Sequence, residues 1–362
     1  MKILYVITGL GNGGAERVVC DLANEMFKKG HDVKIAYLTG DALTQPDHKE
    51  IELIKVKLNS FKSLLPSYIK LAKIIRKFKP DVVHSHMVHA NILMRLVRIT
   101  SPIKKLICTA HNSNEGGALR MLSYRVTHHL ANISTNVSQE ATQAFETIGA
   151  VPNDGMRTIY NGINLEKFNY KPEVREKLKQ ELALTEDCKI ILAVGRFNEQ
   201  KDYPNLLKAI SLLKKEITYP FKVVIAGDGE LRNLIEDMIG SLGLKEDIIL
   251  LGRRSDIPEL MSAVDLFVLP SKYEGFGLVV AEAMACECLV VATDCGGVAE
   301  VLNNSEFLVL PCDYIALSNK MKYALELQGK DKSIVINKNL NHVQENFSLE
   351  YIIERWTILY YE

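Results

Sequence analysis

Two glutamates eight positions apart, Glu274 and Glu282, flank a Gly275-Phe276-Gly277 turn. The run before them, residues 266–269, is apolar and strand-like, and the residues after Gly277 have helical composition. Glu274 is therefore expected in a strand-to-helix loop and Glu282 about one turn into the helix. Free amides at a helix start, with the positive end of its dipole, favour a phosphate, while two carboxylates suit sugar or ribose hydroxyls. The chemistry suggested is a sugar joined to a nucleoside diphosphate.

Other residues extend that chemistry. Arg196 and Lys201 follow the apolar run 189–194 and would emerge at a strand's carboxyl end. There they could neutralise the charge growing on a departing diphosphate. Arginine offers a planar fork to paired oxygens and lysine a point charge, so neither replaces the other. Near the start, Gly9, Gly11, Gly13 and Gly14 form a loop that opens a helix carrying Glu16 and Arg17. Such glycines let the backbone approach a phosphate or sugar closely. Asp41 invites a nicotinamide-binding reading, but the spacing departs from G-x-G-x-x-G and leaves the second half of the chain unexplained. The segments 226–230 and 251–256 also end strands, and Asp228 suits a helix cap. His111, after the strand-like run 105–109, could bond a sugar hydroxyl or serve as a structural loop histidine. Alternation places His84 and His86 on one face of a strand. Zinc would accept such a pair, but no third ligand at suitable spacing accompanies it, which favours a rim or packing role. The chain also lacks an Asp-x-Asp pair to hold a divalent metal on a diphosphate. Arg196, Lys201 and the helix start would do that work, so the reaction is expected to need no metal.

These residues need a scaffold, and 362 residues exceed one ordinary hydrophobic core. An apolar fraction of 47% with 24% charged residues is that of a globular protein. Zero formal net charge gives no global reason to expect nucleic acid. Strand-like runs at 3–8, 33–38, 81–86, 105–109, 130–134 and 157–159 alternate with helical stretches such as 15–29 and 67–78. That alternation predicts a parallel sheet covered by helices. The pattern breaks near Asn161 and Gly162, charged residues follow to Lys189, and a second alternation begins there. Strands are expected at 189–194, 222–226, 248–250, 266–269, 289–292 and 307–310. The expected class is α/β, with two doubly wound domains that bind ligands at the carboxyl ends of their strands. The seven scattered cysteines fit reduced thiols in a cytosolic protein. The start of the chain carries too short an apolar stretch for a signal peptide, and no run is apolar enough to span a membrane.

Taken together, the Glu274/Glu282 pattern, the Gly13-Gly14-Ala15-Glu16-Arg17 loop, the Arg196/Lys201 pair and His111 resemble retaining glycosyltransferases of the E-x7-E type. That group is family 4-like, and it includes bacterial enzymes of O-antigen, capsule and lipopolysaccharide assembly. The resemblance spans nearly the whole chain. It implies the GT-B fold: two Rossmann-like domains facing a central cleft, with a terminal helix crossing back to the first. The domains would be 1–165 for the acceptor, 166–346 for the nucleotide sugar, and 347–362 for the crossing helix.

For the donor, the resemblance implies Arg196 and Lys201 on the diphosphate, with Gly14 nearby, and Glu274 and His111 on the sugar. The amides near Phe276, Gly277 and Leu278 would reach the sugar and β-phosphate, Glu282 the ribose, and the Arg253 region the nucleobase. UDP is the expected nucleotide, and the anomeric configuration is expected to be retained. A glycosidase-like nucleophilic role for Glu274 is disfavoured, because the departing phosphate can itself assist deprotonation of the acceptor. Arg17 and His86 are the expected acceptor contacts.

The acceptor itself would be a glycan, expected to be lipid-linked. Residues 53–80 hold eight lysines and arginines without one acidic residue. Lys62, Lys70, Lys73 and Lys77 alternate there with Leu64, Leu65, Ile69, Leu71, Ile74 and Ile75. Together with residues 118–126, the segment 55–79 suggests a basic amphipathic face that docks on anionic lipid. The expected location is the cytoplasm, with peripheral attachment to the inner face of the cytoplasmic membrane. A helix that packs on the core with a solvated face is the alternative. Two rival functions also stand: a nucleotide-sugar epimerase or hydrolase of related architecture, and a two-domain sugar-binding module.

Overall fold

The computed structural model describes residues 1–362, the side chain of Phe61 excepted. The chain divides into a first unit, Met1–Gly162 with Glu350–Glu362, and a second unit, Ile163–Leu349. The first contains a seven-stranded sheet: β1 (Lys2–Gly9), β2 (Asp32–Thr39), β3 (Glu52–Lys55), β4 (Val82–His86), β5 (Lys105–Thr109), β6 (Ile133–Asn136) and β7 (Arg157–Thr158). All pairings are parallel, in the order β3-β2-β1-β4-β5-β6-β7. Parallel strands are covered on both faces, so they read as continuous apolar runs. Accordingly Ile3 to Ile7 of β1 have no exposed surface.

Helix Gly14–Lys28 buries Val18, Val19, Leu22, Ala23 and Met26, a helical stripe. Full burial of each larger aliphatic side chain contributes about 1.5–3 kcal/mol. Helices Leu64–Phe78 and Val88–Thr100 cover another part of the sheet, with Leu71, Ile75, Leu93, Met94 and Val97 in one core with β1, β4 and β5.

The second unit carries β8 (Lys189–Val194), β9 (Phe221–Ala226), β10 (Ile248–Gly252), β11 (Leu266–Leu269), β12 (Val290–Thr293) and β13 (Leu308–Val309). Their order is β10-β9-β8-β11-β12-β13, again all parallel. In each unit the order reverses once, between β1 and β4 in the first and between β8 and β11 in the second. Ligands of such sheets bind beyond the carboxyl ends of the strands at that reversal. The loops that leave those ends carry Arg196, Lys201 and Glu274, Gly14 opens the helix that follows β1, and His86 closes β4 itself.

Three local expectations shift. The strand expected at 130–134 is β6, Ile133–Asn136, because a short 3-10 turn occupies His128–Leu130. Strand β3, with no buried residue, lies where a basic surface is expected. The charged stretch between the units holds helix Val174–Glu181, which buries Leu178 and the stem of Lys179.

Candidate functional site

In the second unit, two loops are tied together at the sheet's reversal. Loop 195–202 leaves β8 and loop 270–277 leaves β11. The Lys272 amide donates to the Gln200 carbonyl at 2.8 Å, and Gln200 Nε2 donates to the Tyr273 carbonyl at 3.0 Å. Within this frame Lys201 Nζ donates to Glu274 Oε1 at 2.5 Å, with 15% and 9% of the two side chains exposed. Ser271 Oγ donates to the same oxygen at 2.7 Å, and Gln200 Nε2 reaches Oε2 at 3.3 Å. Glu274 is thus a buried carboxylate with three donors around it, held in one orientation.

The glycines explain why the frame closes. A Cβ on Gly195 would stand 3.1 Å from Lys201 Cδ and Cε, so the lysine stem lies directly across that residue. Gly296 has φ +56°, and a Cβ there would fall 1.8 Å from the Glu274 carbonyl oxygen. No side chain fits at that position.

Gly277 (φ +88°) opens helix Leu278–Ala285 from a left-handed conformation. The first amides of this helix have no partner within it. Phe276 is 3% exposed and packs edge-to-face on Phe347, so its ring anchors the loop and only its backbone can serve a ligand. Glu282 lies one turn into the helix and is buried. The cations Arg196 and Arg253 are far more exposed than Lys201. Arg196 is 70% exposed and pairs with Glu230 at 3.1 Å. Arg253, just past the end of β10, is equally exposed, 3.9 Å from Asp228. Arg254 is committed elsewhere: Asp256 and Glu181 both hold its guanidinium and raise its pKa.

The first unit holds a separate polar cluster. Gly14 is the exposed first residue of its helix. The Glu16 carboxylate folds back over the glycine loop, where a Cβ on Gly13 would meet Glu16 Oε2 at 2.4 Å. Burial raises the pKa of Glu16. Arg17 stands 3.9 Å from Asp21 on the same helix. His111 follows β5, and its amide donates to Glu115 Oε1 at 2.9 Å. Tyr124 donates its hydroxyl to Glu115 Oε2 at 2.5 Å, and Asn91 Nδ2 donates to the Tyr124 hydroxyl at 2.9 Å. Burial raises the Glu115 carboxyl and pushes His111 down to about 4.

His86 corrects an expectation. It has no exposed surface and shares a hydrogen bond with His111, Nδ1 to Nε2 at 3.1 Å. It therefore cannot touch an acceptor as placed. His84 stacks on His86 at 4.0 Å, as the strand alternation requires. Hydroxyls engage both of its ring nitrogens: Tyr360 at Nδ1 and Thr109 at Nε2, each at 2.7 Å. Burial drives both of these histidines well below their ordinary pKa. Among the described residues, no group of three or more His, Cys, Asp or Glu is placed to hold a metal ion.

Tyr360 belongs to helix Leu349–Tyr361, which packs on the first unit. Trp356 lies against His84 at 4.5 Å, Tyr360 shares a 3.0 Å bond with Tyr5, and Lys105 Nζ donates to the Leu359 carbonyl at 2.5 Å.

Residues 12–167 match the family model described as Glycosyltransferase Family 4, and residues 174–340 match Glycosyl transferases group 1. This chain is a glycosyltransferase of the family 4 type, with the GT-B fold. A glycosyltransferase from Rickettsia africae ESF-5 superposes with a TM-score of 0.87 at 25% identity, covering 99% of this chain and 97% of that one. Anabaena Alr3699/HepE in complex with UDP superposes at 0.83 with 22% identity, covering 99% of each chain. Among curated relatives, an α-1,4-N-acetyl-D-galactosaminyltransferase of Campylobacter jejuni is 26% identical over 369 residues. That match covers 98% of this chain and 97% of the relative, which is named for a saccharide on undecaprenol diphosphate.

Sequence reasoning missed three parts of the glycosyltransferase's second unit: Gln200, Ser271 and Gly296. Gln200 adjoins Lys201, Ser271 precedes Glu274 within the same loop, and both carry donors, so proximity was their only signal. Gly296 gives none beyond being a glycine after a strand.

Proposed function

We propose that this glycosyltransferase moves a hexose or N-acetylhexosamine from a UDP-sugar to a lipid-linked saccharide, with retention of configuration and without a metal. The observation that carries the reading is the Lys201–Glu274 pair at the carboxyl ends of β8 and β11, beside the start of helix Leu278–Ala285. A diphosphate at that helix start would take Lys201 and Arg196 as counter-charges, leaving Glu274 free to accept from sugar hydroxyls. Glu282 takes the ribose hydroxyls, the Arg253 region the base, and His111 the sugar, with Gly14 by the diphosphate. The departing phosphate accepts the acceptor's proton on the face that it leaves. Arg17 remains the candidate acceptor contact. The UDP complex of the Anabaena protein and the lipid-linked acceptor named for the Campylobacter enzyme support these choices.

Binding of UDP-, GDP- and ADP-sugars, measured by calorimetry in EDTA, tests the donor site. One nucleotide sugar should bind, and Arg196→Ala or Glu282→Ala should each weaken transition-state stabilisation by roughly 2–4 kcal/mol. Silence with all three nucleotides, or loss of binding in EDTA, would sink the reading. Product configuration read by NMR decides retention, and donor breakdown without any acceptor would favour the hydrolase or epimerase reading.

Peripheral attachment to an anionic membrane is part of the same proposal. Leu65 (66% exposed) and Ile69 stand out from helix Leu64–Phe78, and Leu119 (82%), Leu122 and Val126 from helix Ala118–Thr127, among Lys62, Lys73, Arg120 and Arg125. Leu71 and Ile75, expected on that face, are core residues instead. Co-flotation with vesicles containing phosphatidylglycerol, lost in Leu65→Asp/Leu119→Asp, is the expected result. Flotation of neutral vesicles alone would contradict the electrostatic part.

A further inference from the structure

The His86–His111 bond poses a question of proton placement. Both imidazoles are neutral, because burial drives both below their ordinary pKa. One ring must therefore donate and the other accept across the 3.1 Å between His86 Nδ1 and His111 Nε2. The choice is decided on the far side of His86, whose Nε2 is buried and has no partner. If His111 donated, His86 would carry its proton on that orphaned nitrogen. A buried N–H without an acceptor is rarer in folded proteins than a buried acceptor without a donor. If His86 donates from Nδ1 instead, only a lone pair is left unpaired. Stacking on His84 at 4.0 Å and contact with Tyr5 at 6.0 Å fix the His86 ring, and strand β4 fixes its backbone.

We infer that His86 is a positioning residue: it donates Nδ1–H to His111 Nε2 and so locks His111 as the neutral Nδ1–H tautomer. Two consequences follow for the ring of His111. Its only lone pair is occupied by His86, so it cannot take a proton from an acceptor hydroxyl. Its Nδ1–H makes no hydrogen bond among the described residues and is available to a ligand oxygen. His111 then acts as a hydrogen-bond donor, to a sugar hydroxyl or ring oxygen, and the base must lie elsewhere. This second half rests on the reading of His111 as a donor-sugar contact. The tautomer itself does not.

Two-bond 1H–15N correlation spectra of the ligand-free protein, labelled with 15N-histidine at neutral pH, read the tautomer directly, and His111→Asn assigns the signals by their loss. The expected pattern for His111 is a protonated, pyrrole-like Nδ1 and an unprotonated, pyridine-like Nε2. His86→Asn keeps an N–H donor near the same position and should preserve that pattern. His86→Phe removes the donor, and should populate the Nε2–H form and lower kcat about tenfold, with KM for the nucleotide sugar changed by less than about threefold. A protonated Nε2 on His111 in the wild type would overturn the tautomer assignment, whatever binds. An unchanged His111 pattern in His86→Phe would reduce His86 to packing. If the wild type shows the expected tautomer but binds no nucleotide sugar, the donor-site reading fails and the ligand half of the inference falls with it.

Discussion

Separating Lys201 from Glu274 should be costly even with no substrate present. Lys201 Nζ and Glu274 Oε1 stand 2.5 Å apart, within reach of a charge-assisted hydrogen bond, and neither side chain is more than 15% exposed. Coulomb's law at an effective dielectric of 20 gives about 7 kcal/mol of gross attraction. Most of that offsets the loss of hydration on burial. Removing one partner leaves the other charge buried, a loss typically of about 3–5 kcal/mol. Here Ser271 and Gln200 continue to donate to Glu274, which places Lys201→Met near about 3 kcal/mol. Glu274→Gln strands the ammonium and should cost a similar amount. In the double variant no charge is stranded, so the loss should be smaller than the sum by about 2–3 kcal/mol. Urea unfolding of the four proteins closes the cycle. Single losses below about 0.5 kcal/mol that simply add would show a pair behaving as though in water, and would refute the claim that the fold holds Lys201 in place before substrate arrives.

Gly296→Ala should destabilise the second unit by more than about 3 kcal/mol and abolish transfer, because strain at positive φ adds to overlap with the Glu274 carbonyl. Gly243→Ala is the control: φ is +66° but nothing lies within 4 Å, so unfolding should detect only about 1–2 kcal/mol. Acidification should weaken the first unit, since His84, His86 and His111 have folded pKa values below the unfolded one. Their contribution is intact above about pH 6.5 and is lost below it at about 1.4 kcal/mol per pH unit each. For His111 the loss continues down to about 4. Glu115, raised by burial, acts in the opposite sense. Urea unfolding at pH 7.5 and 5.5 should differ by about 3–4 kcal/mol, and equal stability would mean that the histidines are charged or hydrated. Tyr360→Phe strands His84 Nδ1 and should cost about 1–3 kcal/mol, with faster hydrogen exchange in helix Leu349–Tyr361 as the local readout.

Local features carried much of this fold into the sequence. Buried parallel strands are written as β-branched runs, and the glycine loop and the Glu274/Glu282 spacing are contiguous, so their positions could be read directly. Strand β3 could not, because four residues with no buried side chain leave no apolar signature. Helix Val174–Glu181 was hidden for a similar reason: one apolar residue and one lysine stem make its whole buried face. The pairing of Lys201 with Glu274 spans 73 residues and depends on β8 lying beside β11, which periodicity does not encode. His86 shows the opposite error. Its strand phase was legible and put it beside His84, but whether that face was wet or dry depended on helix Leu349–Tyr361, where Tyr360 lies 276 residues beyond His84.

That helix also sets a timetable. Residues 350–362 complete a unit whose other residues end at Gly162, and all of Ile163–Leu349 is translated in between. At about 5–20 residues per second, the ribosome takes roughly 10–40 s to cover that interval. During it the first sheet has emerged, but the faces of His84, Tyr5 and Lys105 that Trp356, Tyr360 and Leu359 will cover are still open to solvent. The second unit is continuous and can finish while the first waits. The half synthesised first is therefore the half completed last, and the nascent chain offers chaperones a defined, transient surface at the site later closed by its terminal helix.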